Sequence, residues 1–197
     1  MEFRTNPFST CNWQAGTIEY IFDTGVDIKK IYEKLLKSGG IGQIIGQHGT
    51  GKSALLESLK NFLIKNGLNV NKNVLNSSQK KLSHDFVLSL RKRDTNTFYI
   101  LDGYEQLTLL SKLKLRFVRY KNTAGFIFTS HRPAPFIPVI YRTIAKPEVF
   151  QNLVRNMIKN TNFYITDKKI NQIFQETEGN FRNGFFKLYD LFEESEN

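Results

Sequence analysis

Eight consecutive residues carry the most specific chemistry in this sequence: Gly46-Gln47-His48-Gly49-Thr50-Gly51-Lys52-Ser53. They fit the pattern G-x-x-x-x-G-K-[ST] in full. Glycines at these places let the backbone bend until successive N–H groups point at one anion. The lysine supplies a point charge suited to the β- and γ-phosphates of a nucleotide. The serine hydroxyl suits a Mg²⁺ ion carried with them. From Lys52 the chain enters a helix, whose positive N-terminus would aim at the same phosphates. Gly46 to Ala54 are therefore the expected phosphate-binding set, with ATP as ligand and Mg²⁺ as metal. GTP is disfavoured, because Asn71-Lys72-Asn73-Val74 lacks the final aspartate of the guanine-reading pattern N-K-x-D.

A second group of residues would serve the metal and the attacking water. Phe98-Tyr99-Ile100-Leu101-Asp102 is an apolar run ending in a carboxylate, suited to hold the Mg²⁺ shell together with Ser53. Glu105 lies three residues on, where it would orient or deprotonate a water; the alternative is a plain acid at a helix N-terminus. The position directly after the aspartate, where such a glutamate is more usual, is Gly103. Thr129 and Ser130 close the apolar run that begins at Gly125, and a polar group there would sense the γ-phosphate. Arg132 follows and would add positive charge in the transition state. The competing reading is a polar loop leaving a sheet.

The elements that must position these groups show in the periodicity. Ile41 to Ile45, Phe98 to Leu101 and Gly125 to Phe128 read as buried strands, Val70 to Leu75 as a further one, and Ile18, Tyr20 and Phe22 as a short edge strand. Between them lie apolar stripes at helical spacing: Ile28 to Leu36; Leu55 to Leu63; Phe86, Val87 and Leu90; and Leu110, Leu113 and Phe117. Strands alternating with helices imply a mostly parallel sheet between helical layers, an α/β fold. After Pro147 only helical stripes are expected. The chain thus reads as an α/β nucleotide-binding domain over residues 1–146, with 1–17 as an N-terminal arm, and a helical lid over 147–197. Phe3 to Phe8 are candidates to cover the adenine.

The combination of cradle, Asp102 strand and polar strand end resembles the additional-strand class of P-loop ATPases, which includes the AAA+ and STAND families. Leu101-Asp102-Gly103-Tyr104-Glu105 is similar to the STAND form, with a glycine after the aspartate and acids just beyond. Thr129-Ser130-His131-Arg132-Pro133 resembles the STAND T-S-R-P strand end with His131 inserted. Gly179-Asn180-Phe181-Arg182 resembles the AAA+ G-[DN]-x-R helix start, whose arginine reaches the nucleotide from the lid. The resemblance implies a P-loop NTPase three-layer sandwich with a helical lid, Arg182 as a nucleotide contact and ATPase activity. Arg142 falls roughly where AAA+ proteins carry an arginine finger, and reads equally as a surface arginine.

Composition bounds the rest. A formal charge of +10 favours anionic partners, nucleic acid first. Lys112, Arg116 and Arg119 would share one helix face, which as a bare charge stripe is also what a solvated face looks like. One cysteine and three histidines are too few for a metal cluster, no apolar stretch is long enough to span a membrane, and a cytoplasmic location is expected. The leading expectation is an Mg²⁺-dependent ATPase whose lid moves with nucleotide state and drives a protein partner or a homo-oligomer. The alternatives are a nucleotide-gated switch with little hydrolysis, a nucleic-acid-associated ATPase and, last, a small-molecule kinase.

Overall fold

The apolar run that precedes the cradle forms β1 (Ile41–Ile45), almost wholly buried. It lies in a five-stranded sheet of the computed structural model, which describes residues 6–13, 15–92, 94–118 and 123–196. The other strands are β2 (Asn69–Val74), β3 (Asp94–Asp102), β4 (Thr123–Ser130) and β5 (Val139–Arg142). Their order is β2-β3-β4-β1-β5, and every pairing is parallel. Because β4 stands between β1 and β3, its end is level with both neighbours: Ser130 pairs with Ile45 and Phe128 with Leu101.

The helices are α1 (Thr10–Trp13), α2 (Ile28–Lys37), α3 (Lys52–Lys65), α4 (His84–Arg91), α5 (Leu109–Val118), α6 (Pro147–Ile158), α7 (Asp167–Glu176) and α8 (Phe181–Glu196), with a 3-10 turn at Tyr104–Gln106. The chain divides into two compact units. A sheet unit comprises Phe22–Gly46 and Leu56–Arg142. A helical unit comprises the described residues up to Ile21, the stretch Gln47–Leu55 and the described residues from Thr143 on.

In the sheet unit, residues alternate between two helical layers as a strand demands. Tyr99 stacks on Phe126 at 5.3 Å and meets Phe86 of α4 edge-on, with Leu115 of α5 in the same core. Phe98 points the other way, toward Tyr32 of α2, which also packs on Phe62 of α3. Close approach at the start of β1 requires glycine. Gly40 has φ 76°, and a Cβ there would lie 2.6 Å from the Ala124 carbonyl oxygen.

Two expectations fail here. Ile18 to Phe22 form no strand; only an isolated bridge joins Ile18 to Ala15. The edge beside β1 belongs instead to β5, four residues following Pro138, too short to stand out from a loop by alternation. In α5 the stripe is inverted: Leu110 and Leu113 face solvent while Leu115 is buried. The side chains of Phe117 and Arg116, and all of Arg119, lie outside the described residues.

The helical unit is built on aromatic rings. Phe150 of α6 sits 5.3–5.9 Å from Phe174, Phe181 and Phe185 of α7 and α8. The N-terminal arm joins this core. Phe8 is fully buried in it, Trp13 packs on Phe185 at 5.5 Å, and Asn6 donates to Glu193 Oε1 and to the Tyr189 carbonyl. Phe8 is thus spent on the helices and cannot cover a base; Phe3 lies outside the described residues. Among the described residues no helix is long and apolar enough to cross a membrane.

One ion cluster ties α3 to β2. Glu57 accepts from Lys72 at 2.5 Å and from Lys60 at 3.0 Å. Burial works to raise the Glu57 pKa, but the hydrogen bonds from Lys72 and Lys60, with their charges, outweigh it and hold the carboxyl below its ordinary value. A carboxyl depressed by folding adds stability that is complete above its unfolded pKa and is lost as pH falls through the folded one. Glu57→Gln should cost about 1 kcal/mol in urea unfolding at neutral pH, a difference that shrinks as pH drops below about 4.5.

Candidate functional site

In the helical unit, the glycine-rich turn runs from Gln47 into α3. Gly49 and Gly51 have φ of 73° and 89°, the left-handed region that only glycine enters without strain. Gly49 is also crowded, since a Cβ there would overlap Asn180 Oδ1. At Gly51 a Cβ would lie 3.1 Å from the Tyr20 ring. Thr50 is buried, donates to the Gln47 carbonyl at 2.9 Å and shares a 2.7 Å bond with Thr143. Lys52 Nζ donates to the Gln47 carbonyl at 2.6 Å, so its ammonium is turned back over the turn. Gln47 and His48 are exposed; Ser53 and Ala54 lie in the first turn of α3. A turn that demands glycine, followed by a helix N-terminus and a lysine curled over it, fits a phosphate chain.

Arg182 is exposed at the start of α8. The residue of its segment that lies against the cradle is Asn180, which also caps α8 by accepting from Asn183 N.

In the sheet unit, a connected set forms where β3 and β4 end. Thr129 Oγ1 donates to Asp102 Oδ1 at 2.6 Å and accepts from Gly103 N at 2.9 Å. Gly103 has φ 87°, and a Cβ there would lie 2.7 Å from the Leu75 carbonyl oxygen. Glycine is therefore obligatory directly after Asp102, and the next acid, Glu105, falls on the 3-10 turn. His131 Nε2 lies 2.9 Å from Glu105 Oε1, and its Nδ1 lies 3.2 Å from the carbonyl of Gly46, the first residue of the cradle motif. Both partners are acceptors, so a ring with one N–H serves only one of them at a time. Glu105 Oε2 is buried and has no hydrogen-bond partner among the described residues.

Ser130 has a different task from Thr129. It is buried, donates to the Arg132 carbonyl at 2.7 Å and lies 3.4 Å from Gln43 Oε1. Gln43, buried in β1, spends its amide on the loop after β4: it accepts from Ala134 N and donates to the carbonyls of Ala134 and Ile137. Arg132 is exposed, as is Arg142 on β5. Among the described residues no group of three or more His, Cys, Asp or Glu could hold a metal alone.

Sequence reasoning passed over His131, Gln43, Asn180, Thr143 and Tyr20. His131 left a signal as the residue interrupting T-S-R-P, and Asn180 as the polar residue of Gly179-Asn180-Phe181-Arg182.

The fold as a whole recurs in solved structures. The RuvB Holliday junction branch migration motor of Thermotoga maritima superposes with a TM-score of 0.57 at 12% identity, over 81% of this chain and 58% of that one. AMPPCP-bound DnaA from Aquifex aeolicus gives 0.53 at 17%, over 87% and 63%. The replication initiator DnaA bound to AMPPCP and single-stranded DNA gives 0.53 at 17%, over 90% and 66%. The chain shares with these structures an α/β, P-loop NTPase-like fold. It spans less than two thirds of each of these structures, and the sequence matches no protein-family model and no curated protein.

Thr129→Val keeps the shape but removes the hydroxyl that Asp102 and Gly103 share. It should destabilise the chain by about 1–3 kcal/mol in urea unfolding, with Thr129→Ser recovering most of the loss.

Proposed function

We propose that the chain binds ATP with Mg²⁺ and hydrolyses it. The observation that carries this reading is the state of Glu105: His131 holds one carboxylate oxygen, and the other is buried with no hydrogen-bond partner among the described residues. A buried acceptor left unsatisfied costs free energy, and such atoms mark places where a donor belongs. A water aligned for attack on a γ-phosphate is such a donor.

In this reading the cradle residues from Gly46 to Ala54 bind the phosphates, Lys52 lying on the β- and γ-groups and Thr50 keeping the turn in shape. Mg²⁺, held by Ser53 and Asp102 with the phosphates, would neutralise charge that builds on them. Thr129 fixes the Asp102 carboxylate. Glu105 takes a proton from the water as its oxygen bonds to the γ-phosphorus; the bond from that phosphorus to the β–γ bridging oxygen breaks, and ADP and phosphate leave. His131 positions Glu105 relative to Gly46. Arg132 and Arg182, both exposed, contribute charge to the nucleotide's surroundings, and Asn180 buttresses Gly49. The AMPPCP in the DnaA structures of like fold accords with an adenine nucleotide. Single-stranded DNA is present in one of them, and with the formal charge of +10 it makes nucleic acid a partner to include in assays.

The His131 contact also favours a second reading, a nucleotide-gated switch with slow turnover, because one oxygen of the base is already engaged. Two variants separate the readings. Lys52→Ala should lose ATP binding. Glu105→Gln should keep it while lowering turnover at least about 10²-fold. Wild-type turnover no faster than Lys52→Ala, despite tight ATP binding, would leave the switch. Full turnover in Glu105→Gln would remove Glu105 from the chemistry under either reading.

A further inference from the structure

A cavity of about 420 Å³ opens on the sheet unit, between the 3-10 turn with α5 on one side and the loop from Arg132 to Ile137 on the other. Its volume is in the range of a peptide side-chain or ligand pocket. Phe128 and Leu115 form the floor, and Tyr104, Leu109, Leu113 and Phe136 the walls.

Three features set it apart from a chance hollow. The first is the inversion of α5. A surface helix normally turns leucine inward and lysine outward. Here Leu109 and Leu113 are 74% and 44% exposed, with Leu110 beside them at 72%. Lys112 instead bends back, donating to the Glu105 carbonyl at 3.3 Å and lying 5.2 Å over the Tyr104 ring.

The second is the opposite wall. Phe136 is 77% exposed and has φ 63°, a backbone conformation that a bulky L-residue rarely adopts. That conformation is enforced: the buried Gln43 amide grips Ala134 and Ile137 on either side, and Pro133 and Pro135 stiffen the loop. An aromatic ring is thus presented on a rigid loop, and rigidity removes much of the ordering cost of binding.

The third is charge. Among the described residues, the cationic groups lining the cavity are Lys112 and Arg132, while the one carboxylate, Glu105, is already paired with His131. An apolar pocket with a cationic rim complements an apolar anchor flanked by carboxylates.

We infer that this cavity docks an acidic segment of a protein partner, with a phenylalanine, tryptophan or leucine as its anchor. A nucleic acid suits it less well, since bases need flat aromatic faces in succession and the walls here are largely leucine. Docking does not depend on the nucleotide chemistry proposed above, so either can fail alone.

The test is selection of random peptides displayed on phage against the immobilised full chain. The enriched sequence is then made as a fluorescein-labelled peptide and titrated by anisotropy. An aromatic or leucine anchor beside Asp or Glu is expected. Phe136→Ser, Leu109→Asp and Lys112→Glu should each weaken binding at least about tenfold, while Leu88→Ser on α4, also an exposed leucine, should not. The first two positions are exposed, and circular dichroism verifies that the variants fold. The inference is overturned if no peptide is enriched, if the enriched peptides lack acidic residues, or if these variants bind as the wild type does. It is equally overturned if a labelled single-stranded oligonucleotide, and no peptide, binds in a manner that depends on Phe136.

Discussion

The insertion of β4 between β1 and β3 is the constraint on which the rest of the sheet unit depends. A parallel strand in that place ends level with both neighbours, so three consecutive residues at its tip touch three different things. Thr129 reaches sideways to Asp102 and Gly103, Ser130 joins the Gln43 network, and His131 spans Gly46 and Glu105. Successive side chains on a strand point to opposite faces, which is why neighbours in sequence serve unlike purposes. The cost is steric, and it is met by glycine at Gly40, Gly103 and Gly125, where any side chain would strike backbone.

Much of this could be read in the sequence, because the demands are local. The cradle needs glycine at left-handed positions and a lysine directly before the helix, so its pattern survives in eight residues. β3 could be read from an apolar run that stops at an acid. β5 could not: it is four residues long and is defined by its pairing with β1. The exposed leucines of α5 defeated periodicity, since apolar spacing marks a face and is silent on whether that face meets the core. Phe8 and Trp13 carry no periodic signal, yet they complete the helical core. Gln43 was hidden in the apolar run of β1, and its partners lie about ninety residues away.

Glu105 shows how the two kinds of information combine. From sequence it is an acid displaced from its usual place, with a helix-end role as the alternative. The geometry supplies the reason for the displacement, since Gly103 must be glycine where β3 turns beneath Leu75. It also supplies a partner, His131, that no spacing rule would have chosen. The proposed docking cavity borders the same 3-10 turn, which contributes Tyr104 to its wall. A partner seated there would touch the element that carries Glu105.

The most direct measurement is phosphate release from ATP by the purified wild-type chain, in Mg²⁺ and again in excess EDTA, with bound nucleotide quantified in the same samples. The account predicts ATP bound in Mg²⁺ and phosphate release that disappears with EDTA. Absence of ATP binding in Mg²⁺, or release unchanged by EDTA, would contradict it.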